Sequence, residues 1–331
     1  MNIGLIDVDS HNFPNLALMK ISAYHKNKGD NVEWAVPMFH YDIVYVSKVF
    51  GDEYSTWLSP LIKADKVIYG GTGFEIKVVD GKEIYEKTED NNLPYEIEHT
   101  YPDYSLYPEL TEDTAYGFLT RGCPNNCSFC IVSKKEGLVS HKVADLNEFW
   151  NGQKYIKLLD PNILACRNHL ELLQQLVDSK AYVDFTQGLD ARFINRKNLE
   201  LLKQIKVKMV HFAFDFMKNE KRIVEGLTLA KNEWKLNDRK AVVYVLTNFD
   251  TSIKEDLYRV AKIKSLGFAP DIRIYRKEAL PKRHILRDLQ RWSNNKIIYR
   301  SCNFFDYVPR KDGKSIKELY ADILQDCGVQ I

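Results

Sequence analysis

The chain alternates short apolar runs with stretches whose apolar residues recur at helical spacing, and the alternation persists almost to its end. Asn2–Asp7 (NIGLID) is a continuous apolar run and predicts a buried strand. Asn15–Lys28 carries Leu16, Leu18, Met19, Ile21 and Ala23 at helical spacing and stops at Gly29, the pattern of an amphipathic helix. Val32–Val36, Asp42–Val46 and Lys66–Tyr69 predict three more strands, with Leu61–Ala64 closing a helical stretch before the last. That last strand runs into Gly70-Gly71-Thr72-Gly73. Strands alternating with helices predict an α/β fold with a parallel, doubly wound (Rossmann-like) sheet over residues 1–76.

Residues 77–108 change character. They are charged, with Asp80-Gly81 as a hairpin turn between Ile76–Val79 and Glu83–Tyr85 and a loop at Asn91–Pro94, and they read as a linker. From 109 to 280 a second β/α repeat sets in. Its strands are predicted at Tyr116–Leu119, Tyr155–Leu159, Tyr182–Phe185, Met209–Phe214, Ala241–Leu246 and Asp271–Tyr275. Helices are predicted between them at Asp145–Asn151, Leu170–Ser179, Leu199–Ile205, Lys221–Trp234 and Asp256–Leu266. The extension 281–331 is read with a last strand at Ile297–Tyr299 and a terminal helix at Lys314–Asp326.

Composition narrows the class. At 331 residues, 45% hydrophobic and 28% charged, the chain reads as a soluble globular protein of one large or two ordinary domains. The amino terminus MNIGLIDVD has no positive leader, and no apolar run approaches bilayer length, so no membrane partner is expected. The net charge of +2 leaves nucleic acid open as a partner. The cations around Arg276–Arg291 would be its footprint, although such a run is more often a solvated helix face. Six cysteines, three in one cluster, are not a secreted disulfide framework, and the expected location is cytoplasmic. Cys166, Cys302 and Cys327 are scattered and read as buried thiols.

The clustered three, Cys123, Cys127 and Cys130, are spaced C-x3-C-x2-C in the loop GCPNNCSFCI, directly after a predicted strand. The carboxyl ends of strands are where α/β folds place their chemistry. A structural zinc takes four protein ligands, and the fourth would have to be His141 or a remote cysteine. Three thiolates also suit a [4Fe–4S] cluster with one iron left open.

C-x3-C-x-aromatic-C, with Phe129 as the aromatic, resembles the signature of the radical S-adenosylmethionine (radical SAM) enzymes. The resemblance implies that the three cysteines hold a [4Fe–4S] cluster, that S-adenosylmethionine binds the open iron, and that its reductive cleavage gives a 5′-deoxyadenosyl radical for hydrogen abstraction. It implies a partial (β/α)6 TIM-type barrel over residues 109–280, Phe129 near the adenine, and an electron donor such as flavodoxin or ferredoxin. Polar residues at the predicted strand ends are then the candidates for holding S-adenosylmethionine and substrate. Asp160 suits the amino group, Arg192 the carboxylate and Asp215 the ribose, with Asn162, Gln187 and Asn248 beside them. Asp9-Ser10-His11 and the turn Gly70-Gly71 resemble the cobalamin-binding domain, with Pro14 where that family has glycine. This implies His11 as a cobalt ligand and radical methylation if cobalamin is bound. The alternative is a zinc-stabilised nucleic-acid-binding module without catalysis.

Overall fold

The computed structural model describes residues 1–57, 61–79, 82–87 and 92–328. The expected Asp80-Gly81 turn and Asn91 lie outside the described residues. The chain divides into two compact units, Met1–Ala181 and Tyr182–Ile331.

The first unit contains, in order, β1 (Asn2–Asp7), α1 (Leu16–Asn27), β2 (Asn31–Trp34), β3 (His40–Ser47), β4 (Lys63–Gly70), β5 (Ile76–Val79) and β6 (Lys82–Tyr85). Then come α2 (Tyr95–Glu98), α3 (Pro108–Thr111), β7 (Thr114–Gly117), β8 (Thr120–Arg121), α4 (Val132–Glu136), β9 (His141–Lys142), β10 (Tyr155–Leu158) and α5 (His169–Ser179). Strands β1 to β4 form a parallel sheet in the order β2-β1-β3-β4. Each face carries its own core. Ile3 and Leu5 pack with Leu18 and Ile21 of α1 and with Ile97, while Tyr41, Val44 and Val46 pack against Trp57, Ile62 and Phe74. The side chain of Asn15 fixes the start of α1 by accepting the Leu18 N–H at 3.2 Å, and it donates to the Ser47 hydroxyl at 2.8 Å, joining that helix start to the end of β3. β5 and β6 form the expected antiparallel hairpin.

The second unit contains β11 (Tyr182–Phe185), α6 (Arg196–Leu202), β12 (Lys206–Ala213), α7 (Glu220–Asn232), β13 (Ala241–Thr247), α8 (Ile253–Ser265) and β14 (Ala269–Ile274). It ends with α9 (Ile285–Asn294), α10 (Lys296–Ser301), α11 (Ile316–Leu319) and α12 (Ala321–Asp326). In the second unit β11, β12, β13 and β14 are neighbours in chain order, and in the first β7 lies beside β10. The registers of β7 with β10 and of β11 through β14 are parallel. Among the described residues, no helix is long and apolar enough to cross a membrane.

Four expectations fail locally. The helix expected at Asp145–Asn151 is only a single 3₁₀ turn, Leu146–Glu148. Leu61–Ala64 closes no helix, because β4 begins at Lys63 and pairs with His40 of β3. Ile297–Tyr299 is helical, within α10. Asn295 caps that helix by accepting the N–H groups of Ile297 and Ile298 at 3.1 and 3.2 Å, and Ile297 stays 82% exposed, which no core strand residue would be. The single terminal helix is broken at Tyr320 into α11 and α12.

Candidate metal centre

The cysteine loop is closed at its base by its own residues. Strand β8 pairs antiparallel with β9, Thr120 opposite Lys142 and Arg121 opposite His141. Glu136, at the end of α4, then holds both sides of the loop entry. One oxygen takes the Arg121 guanidinium at 2.9 Å and the other accepts the Gly122 N–H at 3.1 Å. The Cys123 N–H donates to the Gly137 carbonyl at 3.1 Å, and that of Cys130 to the Cys127 carbonyl at 3.0 Å. Gly122 has φ +83°, and a Cβ there would stand 2.2 Å from the Val139 carbonyl oxygen. Only glycine permits so close a crossing of the two loop strands. Cys123, Cys127 and Cys130 are all half-buried, carried on a loop whose base is fixed by charge-assisted and backbone bonds.

The end of β10 reaches this loop. The amide nitrogen of Asn162, itself 1% exposed, lies 3.7 Å from the Cys123 sulfur. Its backbone carbonyl accepts the Ser140 hydroxyl at 2.9 Å, which holds the residue in place. An N–H directed at a sulfur favours the thiolate over the thiol and tunes a metal bound to it. Asp160, at the same strand end, is bonded to the chain that enters the loop. It is 3% exposed, and its oxygens accept the Leu119 N–H at 3.2 Å, the Thr120 N–H at 2.5 Å and the Thr120 hydroxyl at 2.6 Å. Those oxygens brace the strand end that leads into the cysteines, which makes Asp160 a positioning residue.

Burial pushes the Asp160 carboxyl up to about 6, against the opposing pull of its Thr120 and Leu119 bonds. A carboxyl raised above its unfolded value binds more protons in the folded state. Its contribution is therefore most favourable below about pH 4 and is lost as pH rises to about 6. Asp160→Asn is expected to remove this slope. The stability difference between wild type and variant, read by urea unfolding, shifts against the wild type by about 2 kcal/mol between pH 4 and 6, from a full slope of about 1.4 kcal/mol per unit. Parallel profiles would show that Asp160 does not titrate in that window.

In the second unit the remaining strand-end residues are largely engaged with their own chain. Arg192 forks onto Asp190 at 2.8 and 2.6 Å. Asp215 is half-buried and accepts the Leu246 N–H at 2.8 Å, with burial the main cause of its raised carboxyl pKa. Asn248, at φ +62°, donates from its side chain to the Tyr275 carbonyl at 2.9 Å. Gln187 is exposed in the loop after β11. The residue that organises these strand ends is one the sequence reading passed over. Arg259 is fully buried and donates to the carbonyls of Phe214, Asp215 and Leu246 at 2.7 to 2.8 Å and to Asp256 at 2.5 Å. The available signal was the Asp256/Arg259 pair at i, i+3 on an otherwise apolar face.

The cobalamin elements behave differently from the cysteine loop. His11 is exposed, at φ +48°, with its ring stacked 6.2 Å from that of Phe50. A metal-ligating histidine ordinarily passes its second N–H to a carboxylate. Here Asp9 is occupied elsewhere, accepting the Val49 and Phe50 N–H groups at 2.7 and 3.0 Å. Gly70 accepts the Lys48 N–H. Gly71 and Gly73 are glycine because the chain's own backbone fills the space beside them. A Cβ would meet the Lys48 oxygen at 2.2 Å and the Phe50 oxygen at 2.3 Å. These residues do not fit cobalamin.

No protein-family model and no curated protein matches the chain.

Proposed function

We propose that the chain is a radical SAM enzyme whose cluster is held by Cys123, Cys127 and Cys130. The observation that carries this reading is the built loop: three half-buried cysteines on one closed, braced segment, with the Asn162 amide on Cys123. A structural zinc takes four protein ligands, whereas three thiolates on one loop suit a [4Fe–4S] cluster that leaves one iron open. The donor set, all sulfur with an amide N–H on one thiolate, fits the cluster.

When bound, the cluster and S-adenosylmethionine supply one-electron cleavage of the sulfonium and a carbon radical able to take hydrogen from an unactivated position. The protein's own residues do the rest. Cys123, Cys127 and Cys130 hold the irons, and Asn162 donates to the Cys123 sulfur. Asp160, Glu136 and Arg121 keep the loop in one geometry, and Phe129 on the loop is the residue for the adenine. The parallel strands, β11 to β14 in chain order and β7 beside β10, support reading them as the wall of a partial (β/α)6 barrel. An external flavodoxin or ferredoxin is the proposed electron donor, and the proposed location is the cytoplasm. The test is anaerobic reconstitution with iron and sulfide, reduction with dithionite, and chromatography for 5′-deoxyadenosine. Formation of 5′-deoxyadenosine in the presence of S-adenosylmethionine is expected, and an iron-loaded, reduced protein that forms none would overturn the reading.

A further inference from the structure

The first unit holds a cavity that the cluster chemistry does not use. It opens at the carboxyl end of β1, has a volume of about 430 Å³, and is lined by Asp7, Asp9, Ser10, His11, Trp34 and Tyr107 over an apolar floor. That volume is within the range of small-ligand sites, roughly 300–1,000 Å³. The end of β1, beside the point where strand order reverses in an open parallel sheet, is where such sheets bind ligands.

The lining specifies a charge. Asp7 is half-buried and accepts the Ser10 N–H at 3.1 Å on one oxygen and the Tyr107 hydroxyl at 2.6 Å on the other. Asp9 accepts two backbone N–H groups and is 3% exposed. Among the described residues neither carboxylate enters an ion pair, and the cavity lining contains no lysine or arginine. A carboxylate has about four lone-pair sites, so each Asp7 oxygen retains acceptor capacity after these bonds. The walls are aromatic. Trp34 stands edge-on to Tyr107 at 5.4 Å and is 41% exposed, and the His11 ring lines the cavity beside them. The loop that would cradle a phosphate, residues 8–15, has no glycine, and the carboxylates of Asp7 and Asp9 stand at its start. An anion is therefore repelled from the place where a nucleotide-binding sheet would hold it. A positive charge is attracted twice, by the carboxylates and by the indole and phenol rings.

We propose that this cavity binds a small organic cation, an ammonium group on an apolar body, with Asp7 as its charge partner and Trp34 and Tyr107 as its aromatic walls. The site stands apart from the cysteine loop and does not depend on the cluster.

The test uses the full chain and four probes: n-butylammonium, tetramethylammonium, n-butanol and butyrate. Binding is followed by saturation-transfer NMR and by the indole resonance of Trp34. The two ammonium probes are expected to bind at least tenfold more tightly than butanol, with butyrate weaker still and with affinity falling as salt rises. Asp7→Asn is expected to weaken the ammonium probes at least tenfold while leaving butanol unchanged. Trp34→Ala weakens tetramethylammonium, and Trp34→Phe retains it. Should Asp7→Asn fail to fold, judged by circular dichroism, the Trp34 pair and the probe series still decide. Equal binding of butanol and butylammonium would make the cavity merely apolar and overturn the proposal. So would stronger binding of butyrate, or displacement of the ammonium probes by millimolar Ca²⁺, which would make it a metal site.

Discussion

Replacing Cys123, Cys127 and Cys130 together by alanine is expected to remove the iron altogether. Content after anaerobic reconstitution falls from about four irons per chain to near zero, and 5′-deoxyadenosine formation is lost with it. Each single Cys→Ala variant is expected to lose most of both, because the scheme already leaves one iron without a protein thiolate and has no spare ligand. Cys166 is 2% exposed, and burial raises its thiol pKa, which keeps it protonated and a poor substitute. Cys166→Ala is therefore the control: it should retain full iron. The fold should survive in all of these variants, since the loop is held by Glu136, Arg121 and the backbone bonds at its base rather than by the sulfurs. A triple variant that still carried about four irons would place the cluster elsewhere.

The second large effect is expected at Arg259, in the second unit. Arg259→Met leaves Asp256 buried without its cation and strips donors from the carbonyls of Phe214, Asp215 and Leu246. Removing one partner of a buried ion pair costs about 3–5 kcal/mol. Urea unfolding should show a loss of that size. Adding Asp256→Leu to Arg259→Met should restore part of it, because the stranded charge is then gone. Part of the cost remains, since Asp256 also accepts from the Thr251 hydroxyl and the Asn248 N–H. A loss below about 1 kcal/mol for Arg259→Met would mean that the strand ends do not depend on this residue.

What the sequence made legible follows from how local each signal is. β1 was readable residue for residue because a buried parallel strand is a continuous apolar run with polar ends, and β11 (YVDF) because Val183 and Phe185 alternate as its buried positions. The position of the cysteines after a strand was readable for the same reason. Ile297–Tyr299 misled because a short β-branched run has no period of its own, and the deciding signal was the capping Asn295 just before it. Leu61–Ala64 misled because the start of β4 is fixed by pairing with His40, more than twenty residues away. At the site, position at a strand end singled out Asn162, whose side chain lies 3.7 Å from the Cys123 sulfur. The roles of Asp160 and Arg192 depend on which neighbours reach them first, the Leu119 and Thr120 groups and Asp190, and no spacing rule encodes that. The glycines at 70–73 show the same limit. A Gly-rich turn after a strand signals close approach, and only the fold reveals that the approaching group is the backbone of Lys48 and Phe50.

The central claim is that the loop from Cys123 to Cys130 holds an iron–sulfur cluster. The most direct measurement is metal and acid-labile sulfide analysis of the wild-type chain purified without oxygen. About four irons and four sulfides per chain, with a brown chromophore that bleaches on reduction, is the predicted result. A colourless protein carrying one zinc and no sulfide would contradict it.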